Sequence, residues 1–369
     1  MTHSDYDSYR PPEPPRRRRG GGAKGGRRRG GGGDGAREQP MVPDAEFTSY
    51  YDRPIVKPPP WENPIGVYLF LGGLAGGSAM LGAGAQLTGN DRLRRNSRLS
   101  ALAAVGVGAV ALVVDLGRPE RFLNMMRTIK LSSPMSVGSW ILSGFSAFAG
   151  VAAVAEADRM TKHWLPLGPL RRLLQFVESP AGLAAGLFGP PLAAYTAVLL
   201  SDTANPTWND AREYLPFVFV NSACLAAGGL GMITTPVEDA GPARALAFIG
   251  SAAELTASEL MERTMDPVAA EPLHHGTPGE LLKWSKRLAA LGGLGALIGG
   301  RNRTIAVLSG VSLLTASALT RFGILHAGLE AAKDPRYTVI PQKNRLAKRR
   351  EAGIDRKSTR LNSSHANVS

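Results

Sequence analysis

Cysteine is almost absent: Cys224 is the single thiol in 369 residues. One thiol excludes a disulfide framework, and it cannot hold an iron–sulfur cluster, which needs several thiolates. Histidine is also scarce, with six in the chain. Of these, His163, His274 and His275 fall in polar stretches, and only His326 lies in a long apolar run. A haem held by a histidine pair within the membrane is therefore not expected. The adjacent pair His274–His275 is a poor metal signal, because neighbouring side chains project in different directions. Charge is missing from the middle of the chain and crowded at its ends. The net charge of +13 belongs mainly to the tails, and a mean hydropathy of −0.07 averages an apolar body with polar termini.

What the chain has in quantity is Gly, Ala, Leu and Val in blocks. Residues 1–60 stand apart: RRRRGGGAKGGRRRGGGGDG with flanking proline runs cannot build a core and reads as a disordered basic tail. No apolar segment follows its basic cluster, so it is not a cleavable signal peptide. The tail suits anionic lipid headgroups. It lacks the interleaved aromatics that a nucleic-acid binder stacks on bases, so no nucleic-acid partner is expected.

From Trp61 to residue 332 the chain reads as a membrane domain, all-α, with about eight spans. They are Pro64–Leu87, Leu99–Leu116, Val137–Ala157, Ala181–Ser201, Tyr214–Thr235, Ala243–Met261, Leu288–Gly300 and Thr304–Leu329. The first runs for some 24 uncharged residues, enough to cross ~30 Å of hydrocarbon. Glu254 and Glu259 weaken the sixth, and the seventh is short. Pro190 and Pro191 predict a kink in the fourth. Gly73 and Gly77 form a small-residue face for close helix packing. Residues 333–354 read as a basic juxtamembrane tail. Residues 355–369 share no composition with what precedes and read as a non-native tail. An even number of spans puts both termini on one side. The arginine-rich tail would be awkward to translocate, which points to cytoplasmic termini in a multi-pass protein of the cell membrane.

The densest polar chemistry lies at 110–140, where an apolar run ends in Asp115 and a Gly-Arg-Pro break follows. A carboxylate at the lip of a hydrophobic segment is costly unless paired, hydrated or used. Arg118 is placed to pair with it. Asp115 is the leading catalytic candidate, as a proton acceptor at the membrane edge; an interfacial ion pair is the plainer alternative. Glu254 and Glu259 are five residues apart, about 140° around a helix, so they cannot share one face. One of them pointing inward would serve a proton path. Tyr195 carries a phenol that can donate to a ligand oxygen or anchor the interface.

Several motifs, in order on different spans, resemble the NrfD/PsrC membrane subunits of polysulfide-reductase-type complexes. They are Tyr68-Leu-Phe-Leu-Gly-Gly-Leu-Ala-Gly-Gly-Ser78; Asp115-Leu-Gly-Arg-Pro119 with Arg121-Phe-Leu-Asn124; Ser133-Pro-Met-Ser136 with Gly138-Ser-Trp140; Tyr195 with Pro206-Thr-Trp208-Asn209; and Arg321-Phe-Gly323 with Asp334-Pro335. The resemblance covers roughly 61–342. It implies a helical subunit that binds menaquinone or ubiquinone exchangeably and holds no haem or iron–sulfur cluster of its own. It also implies an iron–sulfur electron-transfer partner and a molybdopterin catalytic partner. On matched positions, Asp115 and Tyr195 would hydrogen-bond the quinone oxygens. The first span lacks a histidine that some members use, and Asn63 or Tyr68 stands where it would be. The competing readings are a purely structural anchor, a secondary transporter and a proton-translocating subunit.

Overall fold

A computed structural model describes residues 54–115, 124, 126–127, 129–162 and 166–352. All regular structure among them is helical. The α-helices are α1 (Asn63–Leu87), α2 (Asp91–Asp115), α3 (Pro134–Met160), α4 (Leu170–Ser201) and the short α5 (Pro206–Asp210). Then follow α6 (Leu215–Thr234), α7 (Gly241–Thr264), the short α8 (Pro267–Ala270), α9 (Gly276–Ile298), α10 (Arg303–Lys333) and α11 (Arg336–Glu351). The chain is thus an all-α membrane protein. Six helices, α1, α2, α3, α4, α6 and α10, are long and apolar enough to cross a membrane. The two further expected spans fall on α7 and α9, of 24 and 23 residues, which carry more charge.

Local sequence explains the helix ends. Pro64 opens α1, and Gly89, with φ +70°, stops the chain after it. The Asn302 side chain accepts from the N–H groups of Thr304 and Ile305, capping α10. The next side chain, Arg303, donates to the last carbonyls of α6: Met232 and Thr235 at 2.7 Å each, and Ile233.

Packing is set by small residues. A Cβ added to Gly76 would stand 2.5 Å from the Gly189 carbonyl oxygen of α4. One added to Gly77 would stand 2.5 Å from the Ala223 carbonyl oxygen of α6. The Gly73–Gly77 face therefore lets α1 lie against two helices at backbone distance, and α1 is the most buried of the six apolar spans. The outer faces carry stripes such as Val107, Val110 and Val114 on α2, and Leu291, Leu294 and Ile298 on α9, all exposed. Such stripes suit a lipid surround.

Two expected loops are helical. Between the first two expected spans, the chain from Asp91 onward is the start of α2, and between the third and fourth, Leu170–Arg172 opens α4. Charge hid both, because these arginines are paired: Arg98 with Glu156 at 2.9 Å, and Arg171 with Asp158 at 3.0 Å. Pro180, Pro190 and Pro191 sit inside α4 without ending it. The 333–354 tail is largely helical as well, as α11.

Candidate functional site

The hairpin α1–α2 decides where the first candidates meet. Gly108 on α2 faces the Tyr68 ring, so the chain direction carries Asp115 back to the start of α1. There the Asp115 carboxyl lies against the backbone N–H of Glu62. Asn63 is the next residue and is exposed. Asp115 is half-buried at the lip, about two turns, or ~10 Å, outward of Tyr68. The Tyr68 ring is 3% exposed, and its hydroxyl has no hydrogen-bond partner.

Helix α4 runs antiparallel to α1. The close approach of Gly76 to Gly189, and the Gln86 Nε2 to Ser179 Oγ bond of 2.7 Å, set the register. That register puts Tyr195 opposite Phe70, within about 3 Å of the depth of Tyr68. The half-buried Tyr195 ring packs on Gly138 at the start of α3, where a Cβ would collide with it. Asp115, Asn63, Tyr68 and Tyr195 therefore share one end of the bundle, the Asn63 end. Tyr68 leans on α2 and Tyr195 on α3. Arg118, expected to pair with Asp115, lies outside the described residues.

The Pro206-Thr-Trp208-Asn209 motif closes this end. It forms α5, and Trp208 is fully buried. Its Nε1 donates to the Ile324 carbonyl at 2.8 Å, Thr207 Oγ1 donates to the Ala269 carbonyl at 2.8 Å, and Trp61 stacks on it at 5.5 Å. These residues tie α8, α10 and the start of α1 together at the level of Asp115, outward of the two tyrosines.

Glu254 and Glu259 separate as their spacing requires. Glu259 is exposed and paired with Arg263 at 2.9 Å. Glu254 is 3% exposed and accepts from Thr320 Oγ1 at 2.7 Å. Beside Thr320 stands Arg321, fully buried, which donates to the Phe219 carbonyl at 2.5 Å and lies 3.7 Å over the Phe219 ring. Sequence reasoning placed Arg321 in a motif without a role. Its signal was the lone cation inside the last apolar run, which an acid of the expected sixth span could answer. A second buried charge cluster joins the expected third span to residues expected in loops: Glu156 receives Arg94, Arg98 and Arg159 at 2.8, 2.9 and 3.0 Å. Among the described residues no three His, Cys, Asp or Glu side chains gather as a metal site.

Fold and site together define a polytopic membrane protein with an acid and two phenols at one membrane edge. The family model described as polysulphide reductase, NrfD, matches residues 55–237, which span α1 to α6. The C subunit of polysulfide reductase from Wolinella succinogenes is 26% identical over 176 residues, 45% of this chain and 55% of that protein. Protein NrfD of Escherichia coli K12 is 28% identical over 197 residues, 48% of this chain and 60% of that protein. The chain belongs to the NrfD/PsrC family of integral membrane proteins. The matches cover little more than half the length of these two relatives.

Proposed function

We propose that the chain is the quinone-reactive membrane subunit of a redox complex. It passes electrons between the menaquinone or ubiquinone pool and an iron–sulfur partner subunit, with a molybdopterin-type catalytic subunit beyond. The Wolinella relative is named as one part of a polysulfide reductase, which supports membership in a redox assembly. The observation that carries the quinone reading is the Tyr68 hydroxyl. A buried hydroxyl without a partner costs about 1–3 kcal/mol, so a ligand oxygen that accepts from it recovers that cost.

The residues fit a planar ligand with two oxygens. Gly72 and Gly108 beside the Tyr68 ring add no side-chain bulk. Tyr68 and Tyr195 offer donors at similar depth, and Asp115 offers an acceptor nearer the water. Quinol oxidation breaks two O–H bonds and releases two electrons and two protons. The electrons go to the partner's clusters. Asp115, half-buried and adjacent to solvent, would take one proton and hand it out while the other passes directly to water; in the reverse direction Asp115 would supply one and water the other. Tyr68 and Tyr195 orient the ring, and Asn63 lines the exit.

The test is binding of a menaquinone analogue to the detergent-purified chain, followed by tryptophan quenching. Saturable binding is expected, weakened about tenfold, or ~1.4 kcal/mol, in both Asp115→Asn and Tyr68→Phe. In the assembled complex Asp115→Asn should abolish quinol turnover and leave assembly intact. Unchanged binding in both variants would remove these residues from the site. No binding by a folded wild-type chain would favour a structural anchor.

A further inference from the structure

The rear of the bundle holds an acid that the quinone reading does not use, in a stretch beyond the family match at 55–237. Glu254 lies ten residues before the end of α7, about 15 Å in from the Asn63 end. Its Oε2 is buried and has no hydrogen-bond partner. The hydroxyls around it are short of protons. Thr320 Oγ1 faces Glu254 Oε1 at 2.7 Å, the Ala316 carbonyl at 3.1 Å and Ser285 Oγ at 2.5 Å. Ser285 also faces the Ala316 carbonyl, at 2.8 Å. Two hydroxyl protons serve an acid, a carbonyl and each other. A proton on Glu254 adds a third donor: the acid donates to Thr320, Thr320 to the carbonyl, and Ser285 to either of them.

A route leads from this acid to one side only. Glu254, Ser258 and Glu262 fall at i, i+4 and i+8, on one face of α7. They line a narrow cleft with Ser285 and Lys286 of α9 and Thr320 of α10. At its outer end Glu262 is held by Lys286 at 2.7 Å, with His274 Nε2 at 3.8 Å. Beside Glu254 the lining ends at Thr320 of α10 and Ala289 of α9, and Arg321 follows Thr320 behind it. There Arg321 is fully buried, with Nε and Nη1 unpartnered. The charged groups facing Glu254 are thus Glu262 on its own helix, Lys286 on α9 and Arg321 on α10. Helix α6 offers a hydroxyl, Ser222, which faces Glu254 as well as Ser317 Oγ at 2.9 Å.

We propose that Glu254 is a proton-exchange site in the membrane interior, loaded from the Asn63 end through the Ser258–Glu262 cleft. The exchange is a plain acid–base step. An O–H bond forms at Glu254 as one breaks at Glu262 or a hydronium, and the reverse unloads it. A sodium ion fits poorly: one carboxylate and two hydroxyls fall short of an ion's oxygen shell, and Arg321 and Lys286 repel it. The site does not depend on the quinone reading.

The test uses the full chain in quinone-free proteoliposomes of one orientation, with pH changed separately inside and outside. Infrared difference spectra should show a protonated-carboxyl band that is lost in Glu254→Gln. The band should follow the pH on the Asn63 side and ignore the other side. Ser258→Leu, which leaves the acid in place, should slow that response at least about tenfold. A band that is absent at every pH, persists in Glu254→Gln or follows the opposite side overturns the proposal. Should Glu254→Gln fail to fold, an apolar carbodiimide on the wild-type chain decides. An adduct at Glu254 at low pH that is lost at high pH is expected, and no adduct at any pH overturns the site.

Discussion

Two glutamates are equally buried in this bundle and are treated in opposite ways. Glu156, at 2% exposure, ends α3 among three arginines, and one of them, Arg98, also bonds Gln86 Oε1 at 2.5 Å. Gln86 in turn holds Ser179 of α4 at 2.7 Å. The network staples α1, α2, α3 and α4 at the end far from Asn63. Glu254, at 3% exposure, has the Thr320 hydroxyl on one oxygen, with the Ser222 hydroxyl and the Arg321 charge beside it. A buried charge is expensive, and a full set of partners makes it structural. A buried acid left short of partners can change its charge, which a stapled one cannot do without breaking the staple.

The largest effect that would sharpen this contrast is on stability. Glu156→Ala leaves the buried Arg98 guanidinium without an acid and should cost about 3–5 kcal/mol, read as loss of the folded peak or a collapsed melting midpoint in detergent. Glu254→Gln keeps an oxygen for Thr320 and should cost under ~1 kcal/mol in the same melt. Equal losses in the two variants would break the distinction between staple and site.

A middle-sized effect separates the α1 face that packs from the one that does not. Gly76→Leu forces a side chain against the Gly189 carbonyl and should destabilise by about 1–3 kcal/mol, with α4 driven from α1. Gly84, on the same helix, has nothing within 4 Å of an added Cβ. Gly84→Ala should be neutral or stabilising by up to ~1 kcal/mol, from helix propensity alone. If both melts fall together, α1 is not held by its glycine face.

The contrast also explains what could be read from sequence. Apolar run length located each described helix of 20 residues or more, because length and hydropathy are local properties, but it missed the polar α11. It misplaced the starts of α2 and α4, since Arg94, Arg98 and Arg171 look like loop charge until Glu156 and Asp158 arrive from elsewhere. Counting spans puts Asp115, Asn63 and Tyr195 on one side; that Tyr68 and Tyr195 lie at similar depth comes only from the register of α1 with α2 and α4. The unpartnered Tyr68 hydroxyl and the Glu254–Thr320–Ser285 cluster were not legible. Each depends on what three or four helices bring to one depth. The spacing of Glu254 and Glu259 did say that the two acids face different ways, but not which one faces in.

That question yields the smallest effect. Glu259 lies half out of the bundle, paired with Arg263 one turn along α7. An exposed i, i+4 pair of this kind is worth at most about 0.5 kcal/mol. Glu259→Gln should therefore shift the melting midpoint barely at all, and should leave the infrared carboxyl response of Glu254 at wild-type speed. Glu254→Gln should erase that response at a similarly small cost in stability. A Glu259→Gln variant that slows proton exchange as strongly as Ser258→Leu would mean that protons enter from the outer face of α7. The cleft between α7, α9 and α10 would then not be the way in.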